Sequence, residues 1–144
     1  MQFTVTLIMA LASAVCATPA NLTPKSAQSG PCAQGDCPDN NSEFDMVYTN
    51  ESGNTSDYIR VKDGCTGNCF SHFTGGGGGG CSRTQLCGRW QNICVDPTNG
   101  RASRHFEDTN ETQCFDLDHQ DLGACPGTNI FNRQVFRPIN QRGC

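Results

Sequence analysis

The chain has 144 residues, eleven cysteines and a formal net charge of −4 at pH 7. That length fits one domain. The mild acidity excludes a nucleic-acid binder held by bulk electrostatics, and beyond the N-terminus no stretch is apolar enough to form a membrane helix.

The chain opens MQFTVTLIMALASAVCA. Residues 3–15 form an apolar core too short to span a bilayer. Small residues at Val15-Cys16-Ala17 follow it, as at a signal-peptidase site. Residues 1–17 therefore read as a secretory signal peptide, which places the mature chain outside the cell. Residues 18–31 (TPANLTPKSAQSGP) hold prolines, small polar residues and one charge, and read as a disordered tail or short pro-segment. The folded domain is expected over 32–144.

Within it the apolar pattern is strand-like. Phe44, Met46 and Tyr48 alternate with Asp45, Val47 and Thr49, and Ile59 and Val61 alternate with Arg60 and Lys62. The polar segment 50–56 between them predicts a hairpin loop. Further strands are expected over 68–73, 92–96, 112–117 and 134–139, with a short one over 104–107. One helical signal competes. Ser82 to Gln85 fits a capping box, and Leu86, Trp90 and Ile93 recur at helical spacing, so a short helix is expected over 83–91. Residues 118–123 are expected to add one helical turn. The glycine run Gly75 to Gly80 lacks the Lys-Ser/Thr of a phosphate loop and reads as a mobile loop tip. The fold class is an all-β or β-rich, disulfide-stabilised sheet or compact sandwich.

Cleavage after Ala17 removes Cys16 and leaves Cys32, Cys37, Cys65, Cys69, Cys81, Cys87, Cys94, Cys114, Cys125 and Cys144. An even set in an exported chain predicts up to five disulfides, with the pairing open. Cys69, Cys94 and Cys114 each stand beside large apolar residues. Neighbours in a strand point to opposite faces, so bridges and core belong on opposite sides of the sheet, or share a thin core. The final residue, Cys144, is expected to pin the C-terminal end. Asn21, Asn40, Asn50, Asn54 and Asn110 each begin an N-glycosylation sequon.

Chemistry is sparsely marked. There is no C-x-x-C, no H-x₃₋₅-H and no G-x-S-x-G, so no catalytic residue, metal site or cofactor is assigned. Arg101, Arg104 and His105, near Glu107, form the local set that acid–base cleavage of RNA could use. Trp90 and Phe106 are the first candidates for an exposed aromatic contact. A signal peptide, a polar tail, ten mature cysteines and an acidic body resemble the small secreted cysteine-rich proteins of filamentous fungi, a class that includes effectors. The resemblance covers the whole chain and is one of composition. It implies an extracellular, non-enzymatic protein that binds a host or environmental protein or glycan. A small ribonuclease-like hydrolase, and an inhibitor or toxin presenting the loop 74–80, are the alternatives.

Overall fold

In the computed structural model, which describes residues 34–144, the chain from Phe44 onward is strand joined to strand by short connections. In order these are β1 (Phe44–Glu51), β2 (Asn54–Lys62), β3 (Cys69–Gly75), β4 (Gly80–Leu86), β5 (Arg89–Asp96) and β6 (Arg101–Phe106). Two long strands, β7 (Glu111–Gly123) and β8 (Ile130–Arg142), complete the set. The expected signal peptide, the tail, Cys16, Asn21 and Cys32 lie outside the described residues.

Every ladder is antiparallel, and the sheet order is β3-β2-β1-β8-β7-β6-β5-β4. The first strand thus pairs with the last. The sheet curls until β3 and β4 approach each other, yet no ladder joins them. The result is a nearly closed barrel with one seam, not two packed sheets. Closing a sheet this way removes most of the exposed edge that invites unwanted pairing.

Period-two alternation sorts the side chains. Phe44, Met46, Ile59, Val61, Leu86, Ile93, Val95 and Ala102 form the buried interior, with Phe115, Leu117 and Phe136 packed against them. Phe44 meets Phe115 edge to face, with ring centroids 5.7 Å apart. The intervening positions face outward. There Cys81 and Cys94 sit opposite each other on β4 and β5 and form a disulfide. Cys114 on β7 bridges to Cys144, which pins the C-terminal end as expected. Core inside and bridges outside is the first of the two arrangements the cysteine neighbours predicted.

The seam is clamped at both ends. At one end Cys65, in the β2–β3 connection, is bonded to Cys87, in the β4–β5 turn. Beside that bridge Asp63 accepts the backbone N–H of both Cys65 and Cys87, at 3.0 and 3.2 Å. At the other end Asp57 of β2 accepts the backbone N–H groups of Gly77, Gly78 and Gly79 at 3.0, 3.0 and 2.9 Å. The glycine run is therefore tied down on an internal carboxylate and is no free tip. Gly79 shows why glycine is needed: its φ is +84°, and a Cβ there would lie 2.1 Å from the Val95 carbonyl oxygen.

Outside β1 and β2, the segment 34–41 folds back over the sheet. Cys37 is bonded to Cys69, and Ser71 donates to Asp36. Beneath it lies a buried ion pair between directly opposed residues, Asp45 of β1 and Arg60 of β2. Arg60 donates to both Asp45 oxygens, at 2.8 and 2.6 Å, and to Gln34 and the Gly35 carbonyl. A second buried carboxylate, Asp39, stands 3.5 Å from the same guanidinium. Burial pushes the Asp45 carboxyl above its ordinary range, against the opposing hydrogen bond and charge of Arg60.

Besides the mobile glycine tip, three further expectations fail. Residues 83–91 are not a helix. Ser82, Thr84 and Leu86 are buried while Arg83 and Gln85 are exposed, a period of two. Cys87 and Gly88 both have positive φ, 51° and 76°, which makes the two-residue hairpin turn that a right-twisted ladder favours. The apparent helical spacing of Leu86, Trp90 and Ile93 spans that turn. Residues 118–123 form no helical turn either, because they continue β7 against β8. The loop expected over 50–56 shrinks to Ser52-Gly53, since the β1–β2 ladder runs out to Glu51 and Asn54.

Candidate functional site

Two surfaces on β4, β5 and β6 gather the chemistry, one on each side of the barrel wall. The alternation of β5 divides them: Trp90 and Asn92 face out, while Arg89, Gln91 and Ile93 face in.

On the outer face the indole of Trp90 is 42% exposed. The Arg83 guanidinium lies 4.0 Å from its ring centroid. Arg83 is itself fixed by a two-pronged pair with Glu107, at 2.6 and 2.8 Å. Those hydrogen bonds hold the Glu107 carboxyl below its ordinary range. With the guanidinium against it, Trp90 still keeps 42% of its surface in solvent, area a partner can cover. Register places Gln85 opposite Trp90, and Asn92 between Arg83 and His105. The Cys81–Cys94 bridge lies at the far end of the same strands. The patch is thus an aromatic ring among amide, guanidinium, imidazole and carboxylate groups on a stapled sheet.

On the inner side the barrel opens into a cavity of about 510 Å³ between the β2–β3 and β4–β5 connections. Arg89, Gln91, Arg104, Gln113 and Gln141 supply its polar lining; Leu86, Phe106 and Phe115 supply its apolar wall. The Arg89 and Arg104 guanidinia lie 4.4 and 4.9 Å from the Phe106 ring centroid. Each is held by a carboxylate at the rim. Arg89 pairs with Asp108 at 2.7 and 2.9 Å, which keeps the Asp108 carboxyl below its usual range. Arg104 pairs with Glu43 and also donates to Gln91 at 2.5 Å.

The set singled out in the sequence is therefore split. Arg104 and Phe106 face the cavity, and Phe106 is buried. His105 faces outward and hydrogen-bonds to Thr112 at 3.0 Å. Arg101, at the opposite end of β6, lines an outer groove of about 490 Å³ with the two bridges Cys81–Cys94 and Cys114–Cys144. Arg104 points to the opposite side of the wall from His105, and Arg101 lies at the far end of the strand, so of the local set only His105 and Glu107 come near each other, on the outer face. The other histidines lie elsewhere: His119 stacks on Phe136 at 4.8 Å, and the Nε2 of His72 is buried. Among the described residues no histidine is hydrogen-bonded to a carboxylate. The one grouping there with metal-ligand spacing, Asp63, Cys65 and Cys87, has both sulfurs committed to a disulfide.

Of the sequon asparagines, Asn40, Asn54 and Asn110 are exposed, and Asn50 is half-buried and accepts the Gly53 N–H at 3.1 Å. Cys125 is disulfide-bonded in addition to the four bridges above. Glu107 was marked in the sequence only as a neighbour of His105, and Arg83, Glu43 and the glutamines went unmarked. They meet only through register, with Arg83 and Glu107 standing 24 positions apart.

No family model matches the chain, and neither a curated protein nor a solved structure shows similarity to it.

Proposed function

We propose that the chain is exported and works outside the cell as a non-enzymatic recognition protein, binding an extracellular protein or glycan through the outer face of β4, β5 and β6. The observation that carries this reading is the exposed surface of Trp90, backed by Arg83 and fixed through Glu107. Trp and Arg dominate the energy of protein contacts. A flat aromatic flanked by amides also suits the apolar faces and hydroxyls of a sugar. Arg83 is already held before a partner arrives, so less ordering entropy is lost on binding.

Export is supported by residues 1–17 and by disulfides, which persist in oxidising compartments. No helix among the described residues is long and apolar enough to cross a membrane. Glycans at Asn40, Asn54 and Asn110 fit the same compartment. An effector-like role at a host surface follows from the compositional resemblance to secreted fungal proteins.

The test is a pull-down with secreted, glycosylated protein and its Trp90→Ala variant, against host extracellular proteins and an array of cell-wall glycans. Trp90 is the sole tryptophan, so its fluorescence reports directly on the contact. A captured partner that shifts this fluorescence and is lost with Trp90→Ala supports the reading. Capture unaffected by the substitution, or RNA cleavage by the pure protein, overturns it.

A further inference from the structure

We propose that the barrel mouth is a second binding site, for a small hydroxylated carboxylate of uronic-acid size whose carboxylate takes the place of Glu43 on Arg104. The site is separate from the Trp90 face and does not depend on it. Its volume of about 510 Å³ falls within the range of roughly 300–1,000 Å³ usual for small-molecule sites.

Arg104 is the fixed cation of the mouth. Its side chain is 12% exposed and aims inward, fixed by Gln91 below and by the stack on Phe106. Its anionic partner differs in kind. The Glu43 side chain is 71% exposed and precedes β1, outside any ladder. A carboxylate so well solvated loses little on returning to water, whereas a guanidinium in a cavity keeps its demand for an anion. Glu43 is thus an exchangeable stopper on a fixed cation.

What would replace it follows from the lining. Lys62 lies at the rim with no ion pair among the described residues, and its charge favours an anion over a neutral ligand. Arg89, already paired with Asp108, adds a second guanidinium plane on the same aromatic ring. Gln113 and Gln141 offer amide donors and acceptors suited to hydroxyl groups; the Gln141 side chain has no hydrogen bond among the described residues, and that of Gln113 reaches only Glu111, at 3.1 Å. Phe106 and Phe115 give an apolar wall for the carbon face of a ring. A bare inorganic anion would leave that wall and the amides unused, and a neutral sugar would leave Arg104 with Glu43.

Calorimetric titration of the secreted full-length protein with D-glucuronate, D-glucose and acetate tests this, because the two sugars differ only in the carboxylate. Glucuronate should bind, with glucose and acetate each at least about tenfold weaker. Glu43→Gln should tighten glucuronate binding about tenfold by removing the competing anion, and Arg104→Gln should abolish it in protein shown to be folded by circular dichroism. Should Arg104→Gln fail to fold, the Glu43→Gln result decides. No heat with glucuronate, equal binding of glucose, or an affinity unchanged by Glu43→Gln overturns the proposal. None of these results bears on the Trp90 pull-down.

Discussion

The carboxylate of Asp57 accepts the backbone N–H of Gly79 at 2.9 Å, across the one gap in the barrel that no ladder closes. Asp57 is fully buried, so the glycine amides stand in for the water it has lost. This contact and the Cys65–Cys87 bridge hold the two free strand edges together from opposite ends.

Substitutions in the glycine run should therefore separate by position. Gly79→Ala meets the Val95 carbonyl and a positive φ, and should cost more than ~1–3 kcal/mol, the usual range for overpacking. Gly78→Ala finds open space with no positive φ, so its stability should stay within about 0.5 kcal/mol of the parent. Urea unfolding of the two variants checks this. Equal midpoints would mean that the chain at Gly79 does not pass against the Val95 carbonyl.

Removing the Cys65–Cys87 bridge as a double serine variant should cost about 2–5 kcal/mol. Its exchange signature matters more than its size. Backbone amides of β3 and β4 along the seam should lose protection first, since no ladder replaces the bridge there. Removing Cys81–Cys94, which joins residues already opposed in a ladder, should leave the seam amides protected. Hydrogen exchange by mass spectrometry reads both.

Arg60→Met should destabilise the protein at pH 7 by ~3–5 kcal/mol, because it leaves Asp45 and Asp39 buried without a counter-charge. The sign with pH is specific. Asp45 has its folded pKa raised above the ordinary 3.8, so protonation of this group favours the fold. The penalty in Arg60→Met should accordingly shrink as pH falls into the acid range, where the neutral acid needs no partner. Denaturation midpoints of parent and variant at a series of pH values test this.

Asp63 works in the opposite sense. Hydrogen bonds from Cys65, Thr66 and Cys87 hold its folded pKa below 3.8. The stability it contributes is complete above that value and is lost as pH falls through the lower folded pKa. The amide resonances of Cys65 and Cys87 should titrate together with an inflection below 3.8, and Asp63→Asn should remove it. An inflection at the ordinary carboxylate value would mean that Asp63 does not bridge the two loops.

Much of the sheet was legible because alternation is a local signal. Phe44 to Thr49, Ile59 to Lys62 and Ile93 to Val95 announce strands on their own, and Cys94 between apolar neighbours left two arrangements, bridges opposite the core or a shared thin core, of which the register selects the first. β4 was illegible because Ser82, Thr84 and Leu86 bury two hydroxyls and one apolar group, too weak a stripe to outweigh a capping box. Only the positive φ of Cys87 and Gly88 resolves the ambiguity. The lengths of β7 and β8 were hidden by the acids of β7, which face solvent or the rim, and by Pro138 of β8, which lies beyond the end of the β1 ladder at Phe136. Of the sites, Trp90 was visible as the sole tryptophan. The mouth was not, since Glu43 and Arg104 are 61 positions apart and meet only once the first strand pairs with the last.

Every surface described above depends on a covalently stapled barrel, so the most direct measurement is disulfide mapping of unreduced protein purified from culture medium. Peptide mass spectrometry should recover the linkages Cys37–Cys69, Cys65–Cys87, Cys81–Cys94 and Cys114–Cys144, on a chain lacking residues 1–17. Free thiols at these positions, or Cys65 joined to any cysteine but Cys87, would contradict the seam and the sites built beside it.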